Sequence, residues 1–293
     1  MRGSRISRWK PLLRAAVADH RRLFGNDAAA TGTALNTLGA LCAWTSRSDE
    51  AIPLLTEAAA ILRRHLPASG HELQATLQNL ATAHTHAGHL APAEAPLREA
   101  LRVAEQSDGV GSAAATCILG DLAGVLEDQG RVAEARAMME TVIARLREIP
   151  TERMNLATML GKWCDLVFTA GDPAAAERAM AECLEIRREV FGERTSPTAV
   201  AMGRLAYLQY RRGDFAGAEK LAGEGLAIQR EIFKPGEREL LFTLRPLGLA
   251  LVKLGRGAEA APLLAECLAL VKRFAPGEAR MIAELEAALA GSG

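Results

Sequence analysis

The chain has 293 residues, and 49% of them are hydrophobic although only 4% are aromatic, a balance dominated by Ala and Leu that favours closely packed helices. Lysine plus arginine and aspartate plus glutamate each number 35, so the chain has no overall basic field of the kind that attracts nucleic acid. We therefore expect an all-α protein that does not have nucleic acid as a general partner.

The cysteines and the hydropathy exclude two further classes of protein. The five cysteines are odd in number, widely spaced and without a CxxC pair, so neither a disulfide framework nor a zinc ribbon is predicted. No stretch of about 18 apolar residues occurs, so we expect neither a membrane-spanning helix nor a membrane partner. The basic start is not followed by the apolar run of a secretory signal. The chain is predicted to be cytoplasmic.

The first segment, residues 4–27, is predicted to hold a single helix over about residues 8–24. Trp9 occupies the place where later segments have Ala, so it either closes the core as a cap or marks a missing upstream helix. The segment is basic, which is typical of a solvated helix start but also fits a tail that binds an acidic partner. The cationic residues are Arg2, Arg5, Arg8, Lys10 and Arg14.

A repeat follows, because turn signals recur at Gly88, Gly130, Gly171, Gly213 and Gly255, which are 42, 41, 42 and 42 residues apart. The same spacing leads back to Ser46 and Ser4. A large residue stands eight positions before each turn, a small one follows it, and an Ala stands five positions after the turn. Large and small residues at these helical spacings predict two amphipathic helices per unit. Six helix pairs are predicted over about residues 28–275 and a capping helix over about residues 278–290.

The large-small pair, the turn Gly and the two small positions resemble the tetratricopeptide repeat, and the period resembles its longer kinesin-light-chain variant. The Tyr usual four residues before the turn is absent, since these positions hold Cys42, His84, Leu126, Val167, Gln209 and Leu251. The resemblance implies one domain over residues 1–293. It also implies a right-handed superhelical solenoid of antiparallel helix pairs whose first helices line a concave inner face.

The resemblance also implies a ligand groove at positions ten, nine, six and two before each turn. The early repeats offer amides, an indole and a histidine there, the middle repeats offer acids, and the last repeats offer Lys, Arg and Tyr. The residues at these positions are Asn36, Trp44, Gln78, Asn79, Thr82, His86, Asp121, Asp128, Lys162, Asp165, Arg204, Tyr207, Arg211, Arg245 and Lys253. The alternative is that these surface residues vary freely.

The basic members of this set predict a ladder of positive charge along the last repeats. They are Lys162, Arg204, Arg211, Arg245 and Lys253. Arg can bind a carboxylate through two hydrogen bonds. We therefore expect the partner to present an acidic stretch or a free carboxylate to this half of the groove.

No constellation in the sequence predicts an enzyme, a metal site or a cofactor. His84, His86 and His89 come close to metal-ligand spacing, but the turn at Gly88 interrupts their helix. Cys183 and Cys267 substitute for small residues of the repeat, and no base is indicated beside them. The segment GVGSA lacks the Lys of a phosphate-binding loop.

The sequence therefore predicts a non-enzymatic scaffold that binds a peptide or protein segment in its groove by many weak contacts. The alternative is that the chain is a regulatory or sensor segment of a larger signalling protein, such as a kinase or a transcription activator. The incomplete units at both ends motivate that alternative.

Overall fold

The structure, a computed structural model, describes the backbone of residues 2–45, 47–65 and 70–292, and within these ranges the side chains from residue 9 onward. These residues form fourteen α-helices and two short 3₁₀ helices, Pro150–Glu152 and Arg238–Leu240, and they include no strand. The prediction of an all-α protein is confirmed. The α-helices are α1 (Arg2–Phe24), α2 (Ala29–Trp44), α3 (Ser48–Arg64), α4 (Gly70–His86), α5 (Leu90–Asp108), α6 (Ala113–Asp128), α7 (Val132–Arg147), α8 (Arg153–Thr169), α9 (Pro173–Phe191), α10 (Ser196–Arg212), α11 (Phe215–Ile232), α12 (Leu241–Lys253), α13 (Gly257–Phe274) and α14 (Ala279–Ala290).

The helices belong to two compact units, an N-terminal unit, Met1–Ile149, and a C-terminal unit, Pro150–Gly293. Within the N-terminal unit the pairs are α2 with α3, α4 with α5 and α6 with α7, and the neighbouring first helices α2 and α4 also touch. Within the C-terminal unit the pairs are α8 with α9, α10 with α11 and α12 with α13, and α10 touches α12. The single domain, the right-handed superhelix and its concave inner face stay predictions.

The predicted turns lie where helices end. Gly88, Gly130, Gly171, Gly213 and Gly255 all have a positive φ, between 76° and 92°. Glycine adopts this conformation at little steric cost, which is why it ends helices. Two earlier turn positions differ, because Ser4 lies within α1 and Ser46 lies outside the described residues.

Small residues allow the two helices of a pair to pack closely. The Ala that follows each turn is fully buried in all six pairs. At Gly39 an added Cβ would lie 2.6 Å from Leu55 Cγ, and at Gly248 it would lie 2.6 Å from Leu264 Cδ2. The first helix therefore rests directly on a leucine of the second, as the large-small pattern predicts. The six alanines are Ala51, Ala93, Ala135, Ala176, Ala218 and Ala260.

The two end helices cover the core differently. In α1, Val17 is buried against the N-terminal core, whereas Trp9 is 60% exposed and does not close it. The alternative in which Trp9 closes the core as a cap is thus wrong, because most of this residue is exposed to solvent. In α14, Leu285 is fully buried and Glu286 pairs with Lys272 on the outer side. This helix packs on α13, and its role as a cap stays a prediction.

Candidate functional site

In the N-terminal unit, predicted groove residues from successive first helices bind one another. Asn79 Nδ2 on α4 donates to Asn36 Oδ1 on α2 over 2.9 Å, and Gln78 Nε2 donates to Asp121 Oδ2 on α6 over 3.2 Å. Each bond joins residues 43 positions apart, which is one repeat plus one residue. The predicted positions therefore lie side by side, and part of their hydrogen-bonding capacity is used between repeats.

The remaining predicted residues of this unit are more available. Trp44, at the end of α2, is 78% exposed. In the next repeat His86 Nδ1 lies 3.2 Å from the carbonyl oxygen of Ala43, which places the imidazole beside Trp44. Asp128 is exposed, and Thr82 donates to the Gln78 carbonyl of its own helix over 3.0 Å. The positions two before the turn thus present an indole, an imidazole and a carboxylate to solvent.

In the C-terminal unit, two of the predicted cations are paired with carboxylates. Arg204 on α10 forms an ion pair with Asp165 on α8, and its guanidinium also donates to the Gly161 carbonyl over 3.2 Å. Arg245 on α12 donates from Nε to Glu284 on α14 over 2.9 Å. The predicted ladder of free positive charge must be corrected at these two positions, because acids on neighbouring first helices neutralise them.

The other cations of the predicted ladder are more open to solvent. Arg211, Lys162 and Lys253 have exposed side chains on α10, α8 and α12 respectively. Within the described part of the chain no carboxylate forms an ion pair with Arg211 or Lys253. Two exposed cations without a carboxylate partner therefore lie near the carboxyl ends of α10 and α12.

Tyr207 lies at the centre of this surface. Its hydroxyl oxygen accepts a hydrogen bond from Arg245 Nη2 over 2.8 Å and another from Arg211 Nη1 over 3.1 Å. The Arg245 guanidinium also lies 4.2 Å from the centroid of the Tyr207 ring, within cation–π distance. The bond to Tyr207 raises the pKa of Arg211, so this group is cationic at every physiological pH.

An aromatic row supports Tyr207 on both sides. Its centroid is 6.3 Å from Phe168 on α8 and 6.3 Å from Tyr210, which in turn lies 5.7 Å from Phe215. The guanidinium of Arg211 is 5.1 Å from the Phe168 centroid. Stacked rings limit side-chain motion, so the two arginines are held by stacking as well as by hydrogen bonds.

A pocket of about 360 Å³ opens beside this row. Four predicted residues line it, namely Asp165, Arg204, Tyr207 and Arg245. The walls are completed by residues that the transferred positions did not include. These residues are Cys164, Phe168, Gly203, Leu208, Arg238, Leu241, Phe242, Pro246, Val271, Ala275, Glu278 and Met281.

Some of the missed residues left a signal in the sequence and others did not. Phe168 and Phe242 are two of only seven phenylalanines in the chain, and both lie on first helices. Their rarity could have drawn attention to them. Arg238 lies in a 3₁₀ helix between repeats, and Glu278 precedes α14, so no repeat position leads to either.

The thiol that lines the pocket is weakly nucleophilic. Burial raises the pKa of the Cys164 thiol to about 11, so at neutral pH this pocket residue is protonated and a weak nucleophile. No cluster of three or more His, Cys, Asp or Glu side chains with the arrangement of a metal site occurs among the residues that the structure describes. Likewise, no helix in the described ranges is long and apolar enough to span a membrane.

Comparison with known proteins gives the family. Two models of the Tetratricopeptide repeat family match the chain, one at residues 155–231 and the other at residues 73–107 and 118–149. No curated protein matches it.

Solved structures share the fold. BtubC (BKLC) from P. vanneervenii has a TM-score of 0.63 and 22% identity over 83% of this chain and 92% of its own. A putative kinesin light chain from Podosopora anserina, described as having nearly identical TPR-like repeats, has a TM-score of 0.58 and 17% identity over 68% of this chain and 95% of its own. Cut9–Hcn1, an APC/C hetero-tetramer, has a TM-score of 0.63 and 14% identity over 96% of this chain and 46% of its own. The chain therefore contains tetratricopeptide repeats over the residues that these models match, and its fold is an all-α repeat solenoid similar to that of the kinesin-light-chain-like repeats.

Proposed function

We propose that this protein is an interaction scaffold that binds a peptide or protein segment along the first helices of its repeats. The observation that carries the proposal is the alignment of polar, cationic and aromatic side chains from successive first helices. Each described unit brings such residues together, through Asn36 and Asn79 in one and Arg245 and Tyr207 in the other. A surface of this kind offers many contacts of modest energy and needs no chemical step.

One of the structural neighbours also has a protein partner. Cut9–Hcn1 is a hetero-tetramer, and its repeats have a fold similar to the one found here. The likeness concerns the fold alone, so it supports the class of partner and says nothing of its identity. The five cysteines are free thiols, which suits a cytoplasmic scaffold.

The partner is proposed to contact the positions two before the turn, where side chains are exposed to solvent. In the C-terminal unit these are Arg211 and Lys253, and they suit an acidic stretch. In the N-terminal unit Trp44 supplies a large exposed ring of the kind that dominates binding energy at interfaces. Arg204 and Arg245 act mainly as internal ties, because Asp165 and Glu284 already neutralise them.

The test is a binding measurement with matched charge variants. A partner is first isolated with the tagged full chain and identified by mass spectrometry, and its affinity is then measured for wild type and for the double variant Arg211→Gln, Lys253→Gln. The control is Arg178→Gln, Lys220→Gln, which removes two exposed cations from the second helices α9 and α11.

We expect the groove variant to lose about two- to tenfold in affinity, because an exposed ion pair contributes about 0–1 kcal/mol. Its affinity should also depend less on salt, whereas the control should behave as wild type. Trp44→Ala should weaken binding in either salt. If all three variants bind the partner like wild type, the first-helix surface is not the binding site.

A further inference from the structure

We infer that the pocket of the C-terminal unit, whose lining includes four residues of the proposed groove, takes a small organic anion with an apolar or aromatic body. This inference goes beyond the scaffold function, because the ligand is a small molecule and its binding requires no protein partner.

The walls of the pocket fit an apolar body. Phe168, Leu241, Phe242 and Met281 line it from α8, α12 and α14, and its volume of about 360 Å³ lies within the range of small-molecule pockets. At its floor α10 and α12 approach so closely that a Cβ on Gly203 would be 2.3 Å from the Phe242 carbonyl oxygen. The floor is therefore backbone and apolar side chain, which offers few hydrogen bonds to a polar ligand body.

Several of the polar groups that line the pocket are hydrogen-bond donors, namely Tyr207 and three arginines. The Tyr207 oxygen accepts from both Arg211 and Arg245, so its lone pairs are occupied. Its own hydroxyl hydrogen has no acceptor among the described residues. A ligand that brings an anionic oxygen would accept this hydrogen and would be attracted by the arginines of the lining, among them the exposed Arg238.

The charges of the lining select an anion over a cation. Three arginines, Arg204, Arg238 and Arg245, face two carboxylates, Asp165 and Glu278. Asp165 is committed to Arg204, and Arg245 is committed to Glu284 outside the lining. The charges that remain are the positive ones of Arg238 and of Arg211, which lies beside Tyr207, and the negative one of Glu278. Their sum is one positive charge. A neutral ligand can accept a hydrogen bond from Tyr207, but it gains nothing from this excess of positive charge.

The experiment measures binding of three simple carboxylates, phenylacetate, naphthoate and octanoate, to the full chain by calorimetry and by NMR. Each has a matched neutral probe, its primary amide. The pocket variants are Tyr207→Phe, which keeps the ring and removes the hydroxyl, and Arg238→Gln. The controls are Tyr210→Phe on the same helix and Arg178→Gln on α9, neither of which lines the pocket.

We expect at least one carboxylate to bind about tenfold more tightly than its amide, and Tyr207→Phe and Arg238→Gln each to lose about the same factor, as for a hydrogen bond to a charged group. The two control variants should bind like wild type, and melting curves should confirm that all four variants fold. The inference is overturned if none of the carboxylates binds, if the amides bind equally well, or if folded Tyr207→Phe keeps full affinity. Equal binding of amides would instead indicate a pocket for uncharged apolar groups.

Discussion

The N-terminal and C-terminal units are built from the same kind of helix pair, but different side-chain bonds join their neighbouring first helices. In the N-terminal unit the joining side chains are mainly amides, as in the bond of Asn79 to Asn36. In the C-terminal unit they are arginines, which bind carboxylates and stack on rings, as Arg245 does with Glu284 and Tyr207. The cores are nevertheless alike, since Gly39 rests on Leu55 as Gly248 rests on Leu264.

This difference shows that the core positions of the repeat determine the helix packing, whereas the exposed positions determine the surface chemistry. The small and large core positions decide how helices approach, and they recur in both units. The exposed rows of the first helices are not needed for that approach, so each unit can carry its own set of groups. Recognition by an acidic partner and binding of a small anion are therefore both proposed for the C-terminal unit, whereas an aromatic contact through Trp44 is proposed for the N-terminal one.

The largest expected effect comes from adding one methyl group to a first helix in each unit. At Gly203 on α10 the new Cβ would overlap the Phe242 carbonyl oxygen, whereas at Gly124 on α6 nothing lies within 4 Å. We expect Gly203→Ala to lower the free energy of unfolding by about 1–3 kcal/mol or more, since a backbone must move. Gly124→Ala should raise it by about 0.5–1 kcal/mol, because Ala favours the helix.

Urea unfolding of the two variants and of wild type measures these changes in the free energy of unfolding. Changes of opposite sign in the free energy of unfolding would show that first helices touch closely at Gly203 and not at Gly124. A Gly203→Ala protein as stable as wild type would mean that α10 and α12 do not approach at this position.

A smaller effect distinguishes the two kinds of bond. Asn79→Ala removes the amide link of the N-terminal unit and should cost about 0.5–1.5 kcal/mol, with little dependence on salt. Arg245→Gln removes charged bonds that are partly shielded from water and should cost about 1–2 kcal/mol at low salt. In 1 M salt, where the Debye length is about 3 Å, the second cost should shrink and the first should not.

Unfolding followed at low and at high salt measures both costs. Arg98→Gln, which removes an exposed pair with Glu94 within the single helix α5, is the control and should cost little at any salt concentration. If the cost of Arg245→Gln were the same in both buffers, the arginine would act by packing rather than by charge.

The smallest effect is on thiol chemistry and leaves stability unchanged. Burial raises the pKa of Cys164 to about 11 and that of Cys267 to about 12, so these two of the three thiols of the C-terminal unit stay protonated at pH 8. Cys117, in the N-terminal unit, is only half-buried. We expect iodoacetamide to label Cys117 first, and peptide mass spectrometry would locate the label. Early labelling of Cys164 or Cys267 in the folded protein would contradict the burial that defines the C-terminal core.

The sequence predicted the helix pairs, the turns and the core because these depend on residue types at fixed spacings. An Ala five residues after each turn is buried wherever it occurs, and every turn Gly has a positive φ. It also placed Asp165, Arg204, Tyr207 and Arg245 together, since equivalent positions of neighbouring repeats lie side by side. The pocket itself was not predictable, because Arg238 and Glu278 reach it from segments between repeats.

The repeat and its period were thus determined by the sequence alone, whereas tertiary structure decided which charges meet. On the second helices Arg21 pairs with Glu57, Arg63 with Glu99 and Arg230 with Glu266, each pair 36 residues apart rather than 42. The offset of 36 depends on how far one helix is shifted and tilted along the next, which no residue spacing records. On the first helices an offset of 39 residues brings Asp165 to Arg204 and Glu284 to Arg245, so two of the three arginines that read as free charge in the sequence are neutralised in the folded protein.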